Sequence, residues 1–271
     1  MPMIQIGGRQ LSYETSPRSG PPVLFIQGVG VPGCGWTPQT DALRSNFWVT
    51  SFDHRGIGNS DLGKDPLTID LFAQDALAVL DHLDIESAHV VGHSMGGVVA
   101  SQLALNAPER IRSLSLLCTF HKGKNAAKIN AWKVWIGLRC HLGTLRMRRF
   151  AFQEMIFSRQ ELDTVDRDAF AFEAQSLFGR DLAEQPSIIM KQLSALRKHD
   201  CSRLLGSLTD IPSLVISGAQ DRIAPPTEGR ALSEAISGEY QEWKGTAHGL
   251  PITQKDKLNS TLEKFFIAHA L

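Results

Sequence analysis

The stretch Gly92-His93-Ser94-Met95-Gly96-Gly97 decides the fold of this chain. It follows a short β-prone segment, 88–91, and precedes 98–105, an apolar run typical of a buried helix. A G-x-S-x-G motif between a strand and a helix forms the sharp turn called a nucleophile elbow. The serine takes strained backbone angles there, and the glycines let strand and helix pack closely. We expect the Ser94 hydroxyl at the end of a sheet, with the Met95 amide pointing to the same place.

Strand-like and helix-like segments alternate around this stretch. A glycine turn at 7–9 joins two short β-prone segments and predicts an opening hairpin. Residues 68–83 carry apolar side chains at helical spacing, and Thr68 is placed to cap that helix. The other predicted strands lie at 22–27, 48–52, 113–118 and 213–217. The alternation predicts an α/β fold with a mainly parallel sheet and helices on both faces.

Residues 121–205 break this alternation, because β-like runs vanish and aromatic residues recur at helical intervals. We interpret them as a helical cap insertion in a core domain formed by 1–120 and 206–271. The first half of the insertion is basic, and 161–184 is mainly acidic. The basic residues are Lys122, Lys124, Lys128, Lys133, Arg139, Arg146, Arg148, Arg149 and Arg159. Either the two halves pair their charges, or the first half receives an acidic acyl carrier or an anionic substrate group.

Composition excludes several classes of protein. The 271 residues include 28 Lys and Arg against 28 Asp and Glu, without the basic excess of a nucleic-acid-binding protein. The four cysteines form no C-x-x-C pair, so neither a zinc site nor a disulfide framework is expected. The first residues do not resemble a signal peptide, and no apolar run has the length of a membrane span. We expect a cytoplasmic protein.

A serine nucleophile needs a base, and an acid that orients the base. His248 lies in the loop 245–251 just before the C-terminal helix, predicted from about 253 to 269, and flanking glycines give its ring room. Asp221 follows the predicted strand 213–217, where a carboxylate would face the same sheet edge as Ser94. The chain order Ser94, Asp221, His248 is the order expected of such a triad.

Acyl transfer also requires two hydrogen-bond donors for the oxyanion. We assign the amides of Met95 and Val29, the latter in the glycine-rich loop 27–33 with Gly28 as the alternative donor. The loop is not a phosphate site, because neither G-x-G-x-x-G before a helix nor G-K-[ST] is present. The candidate substrate contacts are Gly28, His93, Trp132 and Trp135.

Together these segments resemble the α/β-hydrolase family over essentially the whole chain. The resemblance rests on the loop 27–33, on 52–60, which is similar to the family's D-x-R-G-x-G-x-S segment, on the elbow, the cap, and the acid and histidine loops. It is strongest to small cofactor-free esterases, enol-lactonases and carbon–carbon hydrolases with a cap between the sixth and seventh strands. Gln27-Gly28 departs from the family's usual His-Gly, and glutamine can anchor the loop but cannot be charged. Serine at the elbow argues against haloalkane dehalogenases and epoxide hydrolases, whose nucleophile there is aspartate.

The resemblance implies a serine hydrolase that cleaves a small carboxylic ester or lactone through an acyl-enzyme on Ser94, without metal or cofactor. Three alternatives use the same fold. A thioesterase or acyltransferase and a carbon–carbon bond hydrolase would keep the triad, whereas a ligand receptor would have a slow or vestigial one. The sequence leaves the oligomeric state open.

Overall fold

Eight strands form one twisted sheet in the computed structural model, which describes residues 2–126 and 130–270. Lys128, one of the basic residues of the insertion, lies outside the described residues. The strands are β1 (Met3–Ile6), β2 (Arg9–Thr15), β3 (Pro22–Ile26), β4 (Trp48–Phe52), β5 (Ala88–His93), β6 (Ile111–Leu117), β7 (Ser213–Gly218) and β8 (Glu239–Trp243). Their spatial order is β1-β2-β4-β3-β5-β6-β7-β8. Only the β1–β2 and β2–β4 pairings are antiparallel, so the predicted mainly parallel sheet is confirmed.

Helices cover both faces of this sheet. They are α1 (Thr37–Leu43), α2 (Ile69–His82), α3 (Met95–Asn106), α4 (Gly123–Ala126), α5 (Ala131–Arg139), α6 (Leu145–Ile156), α7 (Arg159–Leu162), α8 (Arg167–Phe178), α9 (Ile188–Lys198), α10 (Pro226–Ile236), α11 (Leu250–Thr253) and α12 (Lys255–Ala268). One apolar core contains Phe72 of α2 and Leu103 of α3, and the other contains Leu43 of α1 and Leu262 of α12. A strand such as β3, whose Val-Leu-Phe-Ile run is wholly buried, fits a sheet covered on both faces.

The parallel strands place the candidate residues at one edge of the sheet. Ile26, the last residue of β3, pairs with Gly92 of β5, so the loop after β3 lies beside the elbow. Ser94 follows β5, Asp221 follows β7, and His248 follows β8. Since these three strands run parallel, their carboxyl ends meet at the same edge, which is where open α/β sheets bind ligands.

Between β6 and β7 the described residues form helices α4–α9 and no strand. We call residues 121–205 the cap segment, and we propose it as an insertion in a core formed by the rest of the chain. The segment has a small apolar core of its own, which includes Ile136, Phe152 and Phe178. None of the described helices is both long and apolar enough to span a membrane.

Ion pairs join the basic and acidic halves of the cap segment. Arg146 of α6 binds Asp168 of α8 through two hydrogen bonds to one carboxylate oxygen, and Arg149 binds Asp181. These contacts confirm charge pairing between the two halves for both arginines. The pairing leaves the surface around them less basic than the sequence of 121–160 alone indicates.

Two elements differ from the sequence prediction. Strand β8, with sequence EYQEW, was not expected because it lies at the edge of the sheet and only Trp243 in it is fully buried. The C-terminal helix does not run unbroken from 253, because α11 ends at Thr253 and α12 begins at Lys255. By contrast, α2 begins directly after Thr68, whose side chain accepts a hydrogen bond from the Leu71 amide as expected of a cap.

Candidate active site

Ser94 lies on a strained turn between β5 and α3. Its backbone angles are φ 56° and ψ −118°, a region that residues other than glycine rarely adopt. The Ser94 amide donates to Leu117 O at 2.9 Å, and the Thr119 hydroxyl donates to Ser94 O at 2.6 Å, so the end of β6 and the residues just after it fix both sides of the turn. A Cβ on Gly96 would lie 2.1 Å from the carbonyl oxygen of Ile26, which explains why the turn needs glycine.

Asp221 and His248 form a buried pair. Asp221 Oδ1 accepts the amides of Ile223 and Ala224 at 2.8 and 2.9 Å, and its Oδ2 accepts His248 Nδ1–H at 2.8 Å. The carboxylate therefore fixes the ring orientation and leaves Nε2 as the unprotonated nitrogen of a neutral imidazole. Within the described residues no hydrogen bond joins Ser94 Oγ to His248, but both side chains line the same cavity. Such contacts often tighten only when substrate is bound.

His93 supports the loop that carries His248. Its Nε2–H donates to the backbone oxygen of His248 at 2.9 Å, and the two ring centroids are 4.8 Å apart. Loss of hydration, together with the nearby charge of His248, lowers the pKa of His93 to about 3. The ring is therefore neutral at working pH and keeps its donor role while it lines the cavity.

Cys118 completes a cluster of possible metal ligands. One ligand atom each from His93, Cys118 and His248 lies within 4.8 Å of the others. Burial raises the pKa of the Cys118 thiol well above its ordinary value, so the thiolate that binds metals is disfavoured. Since His93 is also bonded to the His248 carbonyl, the cluster fits a packed loop better than a metal centre. All four cysteines are free thiols.

The loop after β3 lies against the turn that carries Ser94. Gln27 Oε1 accepts the Gly28 amide at 3.0 Å, which makes Gly28 unsuitable as the alternative oxyanion donor. A Cβ on Gly28 would lie 3.1 Å from Ser94 Cβ, so the loop touches the nucleophile turn. In the described parts of the chain, no acceptor contacts the amides of Val29 and Met95. Both remain available to a ligand oxygen.

His54 stabilises the same loop through a hydrogen bond to Gln27. Its Nε2–H donates to Gln27 O at 2.9 Å, and the ring is completely buried between Phe52 and Phe72. Burial lowers the pKa of His54, which keeps the ring neutral. This residue therefore stabilises the loop and does not border the cavity.

Two side chains of the cap segment bind the loop 27–33. The Gly30 amide donates to Gln192 Oε1 of α9 at 2.8 Å, and Arg180 Nη1 donates to Gly30 O. Gly30 has φ 71°, a conformation that favours glycine. Two cap side chains thus bind both polar groups of the residue next to Val29.

The cap segment also contacts both sides of the His248 loop. The Gly249 amide donates to Ile156 O at 2.9 Å, and Ser158 Oγ donates to Gly245 O at 2.9 Å. Glu161 Oε1 accepts Thr246 Oγ1–H at 2.6 Å. Sequence reasoning missed Glu161, although its capping box with Ser158 is a readable S-x-x-E signal.

A cavity of about 340 Å³ lies between the sheet edge and the cap segment. Ser94, His93, His248 and Gly28 line its polar end. Apolar side chains of the cap segment form most of the remaining wall, among them Trp132, Ile136, Phe152, Phe178 and Leu193. The cavity is therefore suited to a small, largely apolar organic molecule.

Trp135 does not line this cavity, which corrects its assignment as a substrate contact. Its side chain is 52% exposed and packs under the guanidinium of Arg139, 4.5 Å from the ring centroid. The lining residues include Trp132 and Ile136 of α5 and Cys140 directly after the helix, spaced four apart on one face. At 100° per residue Trp135 points away from that face.

Comparisons with known proteins agree with this architecture. Residues 21–136 match the family model described as alpha/beta hydrolase fold. The chain is 27% identical over 252 residues to "Putative carbamate hydrolase RutD" of Caulobacter sp. (strain K31), covering 92% of this chain and 91% of that protein. It is 29% identical over 258 residues to 3-oxoadipate enol-lactonase 1 of Acinetobacter baylyi, covering 92% and 90%.

A solved structure extends the likeness to the whole molecule. The enol-lactonase from Burkholderia xenovorans LB400 superposes with a TM-score of 0.80 at 25% identity, over 98% of this chain and 100% of that one. The match over 21–136, the relatives aligned over about nine tenths of their length and the eight-stranded sheet together show that the chain has the α/β-hydrolase fold.

Proposed function

We propose that the protein is a serine hydrolase that cleaves a small carboxylic ester or lactone through an acyl-enzyme on Ser94. His248 is the base, Asp221 orients it, and the amides of Val29 and Met95 bind the oxyanion. The observation that carries the proposal is the pairing of His248 with Asp221 beside a strained serine at the polar end of one cavity.

The comparisons support hydrolysis as the reaction class. One aligned relative is named as a carbamate hydrolase and another as an enol-lactonase, and a solved enol-lactonase has the same fold. An enol-lactone is a cyclic ester, so the named activities fall within acyl transfer to water. The apolar cavity wall supports a small organic substrate in preference to a polymer.

The chemistry proceeds in two halves. Ser94 Oγ attacks the carbonyl carbon while His248 Nε2 takes its proton, and the carbonyl electrons move to the oxyanion held by the two amides. The intermediate collapses, the alkoxide leaves with the proton from His248, and the acyl group remains on Ser94. Water then attacks the acyl-enzyme with His248 as base, and collapse releases the carboxylic acid and restores Ser94. For a lactone, acid and alcohol leave as one molecule. No step requires a cofactor.

A fluorophosphonate probe tests the nucleophile, because it phosphonylates an activated serine. We expect labelling of the wild-type protein and none of Ser94→Ala. Ser101→Ala is a matched control, since Ser101 is also buried in α3 but its hydroxyl donates to Gly97 O. Labelling that persists unchanged in Ser94→Ala contradicts the proposal.

The thioesterase alternative loses part of its motivation. It rested on a basic surface that would receive an acidic acyl carrier, but Arg146 and Arg149 are each bound to an aspartate of the cap segment. Small esters and lactones are therefore the substrates to examine first.

A further inference from the structure

We propose that Arg180 forms a carboxylate-binding subsite of the cavity, so that the ester or lactone cleaved on Ser94 carries a carboxylate on its acyl part. This inference rests on the proposed function and names the substrate class of the same site. It concerns a residue that sequence reasoning did not single out.

None of the hydrogen bonds that Arg180 makes in the described structure goes to a carboxylate. Its Nε donates to Glu184 O at 3.1 Å, and its Nη1 donates to Phe178 O at 3.2 Å and to Gly30 O. All three acceptors are neutral backbone carbonyls. Among the described residues no Asp or Glu oxygen lies within 4.0 Å of the guanidinium, whereas Arg146 and Arg149 nearby in the cap segment each have a carboxylate partner. Arginines in partly dry sites are normally paired with an anion.

Within the described part of the chain, no acidic side chain faces Arg180 across the cavity. Arg180 lines the cavity, and the described lining contains no Asp or Glu. Burial lowers the pKa of Arg180 from its ordinary value, and the nearby charge of Glu184 offsets this only in part, without a direct carboxylate partner among the residues described. A substrate anion would supply that partner. The position thus favours anionic over neutral ligands of the same size.

The geometry favours a carboxylate over a phosphate. Only the Nη2 amino group of Arg180 has no protein acceptor in the described structure, and the wall around it is apolar, with Ile189 and Leu177 among its residues. One free amino group suits a compact monoanion, whereas a phosphate dianion would leave more oxygens without donors.

Arg180 also places this anion on the acyl side. It binds Gly30 O, and Gly30 follows Val29, whose amide is assigned to the carbonyl oxygen. An acyl chain whose carbonyl oxygen meets Val29 can therefore direct a terminal carboxylate to Arg180. Short dicarboxylic monoesters have this form.

Matched ester pairs test the subsite. The monomethyl esters of succinate, glutarate and adipate are compared with methyl pentanoate, hexanoate and heptanoate, which replace the carboxylate by an ethyl end of similar size. We expect the wild-type ratio of kcat/KM, anionic over neutral, to fall about 10- to 100-fold in Arg180→Met at the best chain length, as loss of one charge-assisted hydrogen bond implies.

Gln192→Met is the matched control, because Gln192 binds the amide of the same Gly30 without contributing charge. It should lower turnover of both members of a pair by the same factor and leave their ratio unchanged. An unchanged ratio in Arg180→Met, or an equal fall of the ratio in Gln192→Met, overturns the subsite.

A binding measurement separates this inference from the proposed function. Calorimetry with monomethyl glutarate is done on Ser94→Ala and on the double variant Ser94→Ala/Arg180→Met, neither of which needs turnover. We expect at least a tenfold higher Kd in the double variant, and equal affinities overturn the subsite. Absence of turnover of every ester by the wild type, with the Kd difference intact, contradicts only the proposed function.

Discussion

Glu161 Oε1 in the cap segment accepts a hydrogen bond of 2.6 Å from Thr246 Oγ1, two residues before His248. The same oxygen accepts the hydroxyl of Thr253, which lies after the histidine, and Oε2 accepts the Ser158 amide at 2.7 Å. The Glu161 carboxylate therefore connects the start of α7 to the residues on both sides of His248, the proposed base. The position of His248 depends on the cap segment as well as on the sheet.

Removal of this carboxylate should affect turnover more than substrate binding. We expect Glu161→Ala to lower kcat about tenfold with little change in KM, because the His248 loop gains freedom while the cavity wall keeps its side chains. The free energy of unfolding should fall by about 1–3 kcal/mol, as for a half-buried carboxylate that accepts several hydrogen bonds. Steady-state kinetics and urea unfolding measure both effects.

Glu173→Ala is the control for Glu161→Ala, since Glu173 is exposed on α8 of the same cap segment. Glu173→Ala should change neither kcat nor the free energy of unfolding by much. If Glu161→Ala destabilises the protein but leaves kcat at the wild-type value, Glu161 acts on folding alone and does not position His248.

Asp221→Asn should preserve the fold and remove most of the activity. The amide can still accept the hydrogen bonds of Ile223 and Ala224, but it cannot stabilise an imidazolium and favours the wrong tautomer of His248. A loss of about 10³–10⁴-fold in kcat is expected by analogy with other triads. Ester kinetics with circular dichroism as a folding control test this. A variant with more than a tenth of wild-type kcat would remove Asp221 from the proposed triad.

Because the backbone at Ser94 is strained, we expect a glycine variant at this position to be more stable than an alanine variant. At φ 56° a Cβ is unfavourable, so Ser94→Gly should be more stable than Ser94→Ala by about 1 kcal/mol. In the regular helix α3 the order should reverse, and Ser101→Gly should be less stable than Ser101→Ala by about 1 kcal/mol. Chemical unfolding of the four variants measures both differences. Ala more stable than Gly at both positions would mean that the turn at Ser94 is not strained.

The elbow and the order of the three candidate residues could be predicted from sequence because each depends on a local pattern. Gly92 to Gly97 packs strand against helix within a few residues, and the loops at Asp221 and His248 follow segments with strand or helix signals. Parallel pairing then brings their ends together without further information from the sequence. The edge strand β8 lacks a buried face, so its pattern gave no such signal.

Contacts made by the cap segment could not be predicted in the same way. Gln192 and Arg180 meet Gly30 across about 150 residues of chain, and no periodicity indicates which polar side chains of a helix will do so. Helical spacing likewise does not show which face of α5 turns inward, and it could not indicate that Trp132 lines the cavity whereas Trp135 is exposed. These features depend on tertiary packing, whereas those of the elbow depend on the turn itself.

His93 should make the stability of the protein depend on pH below neutrality. Its pKa is about 3 in the folded protein against an ordinary value of 6.5, because the ring has lost hydration and lies beside His248. As pH falls through 6.5 the unfolded chain takes up the proton and the folded protein does not, so stabilisation present above pH 6.5 is lost progressively toward pH 3. The slope is at most ~1.4 kcal/mol per pH unit, because one ring takes up one proton.

Urea unfolding at pH 7, 6 and 5 measures this slope in the wild type and in His93→Gln. The substituted amide cannot titrate, so the variant should lose less stability on acidification, even if it is less stable at pH 7. His82→Gln is the control, because His82 is exposed at the end of α2 and should leave the pH dependence as in the wild type. Other titrating groups contribute equally to all three proteins, so the difference in slope belongs to the replaced ring. Equal slopes in wild type and His93→Gln would show that His93 titrates alike in the folded and unfolded states.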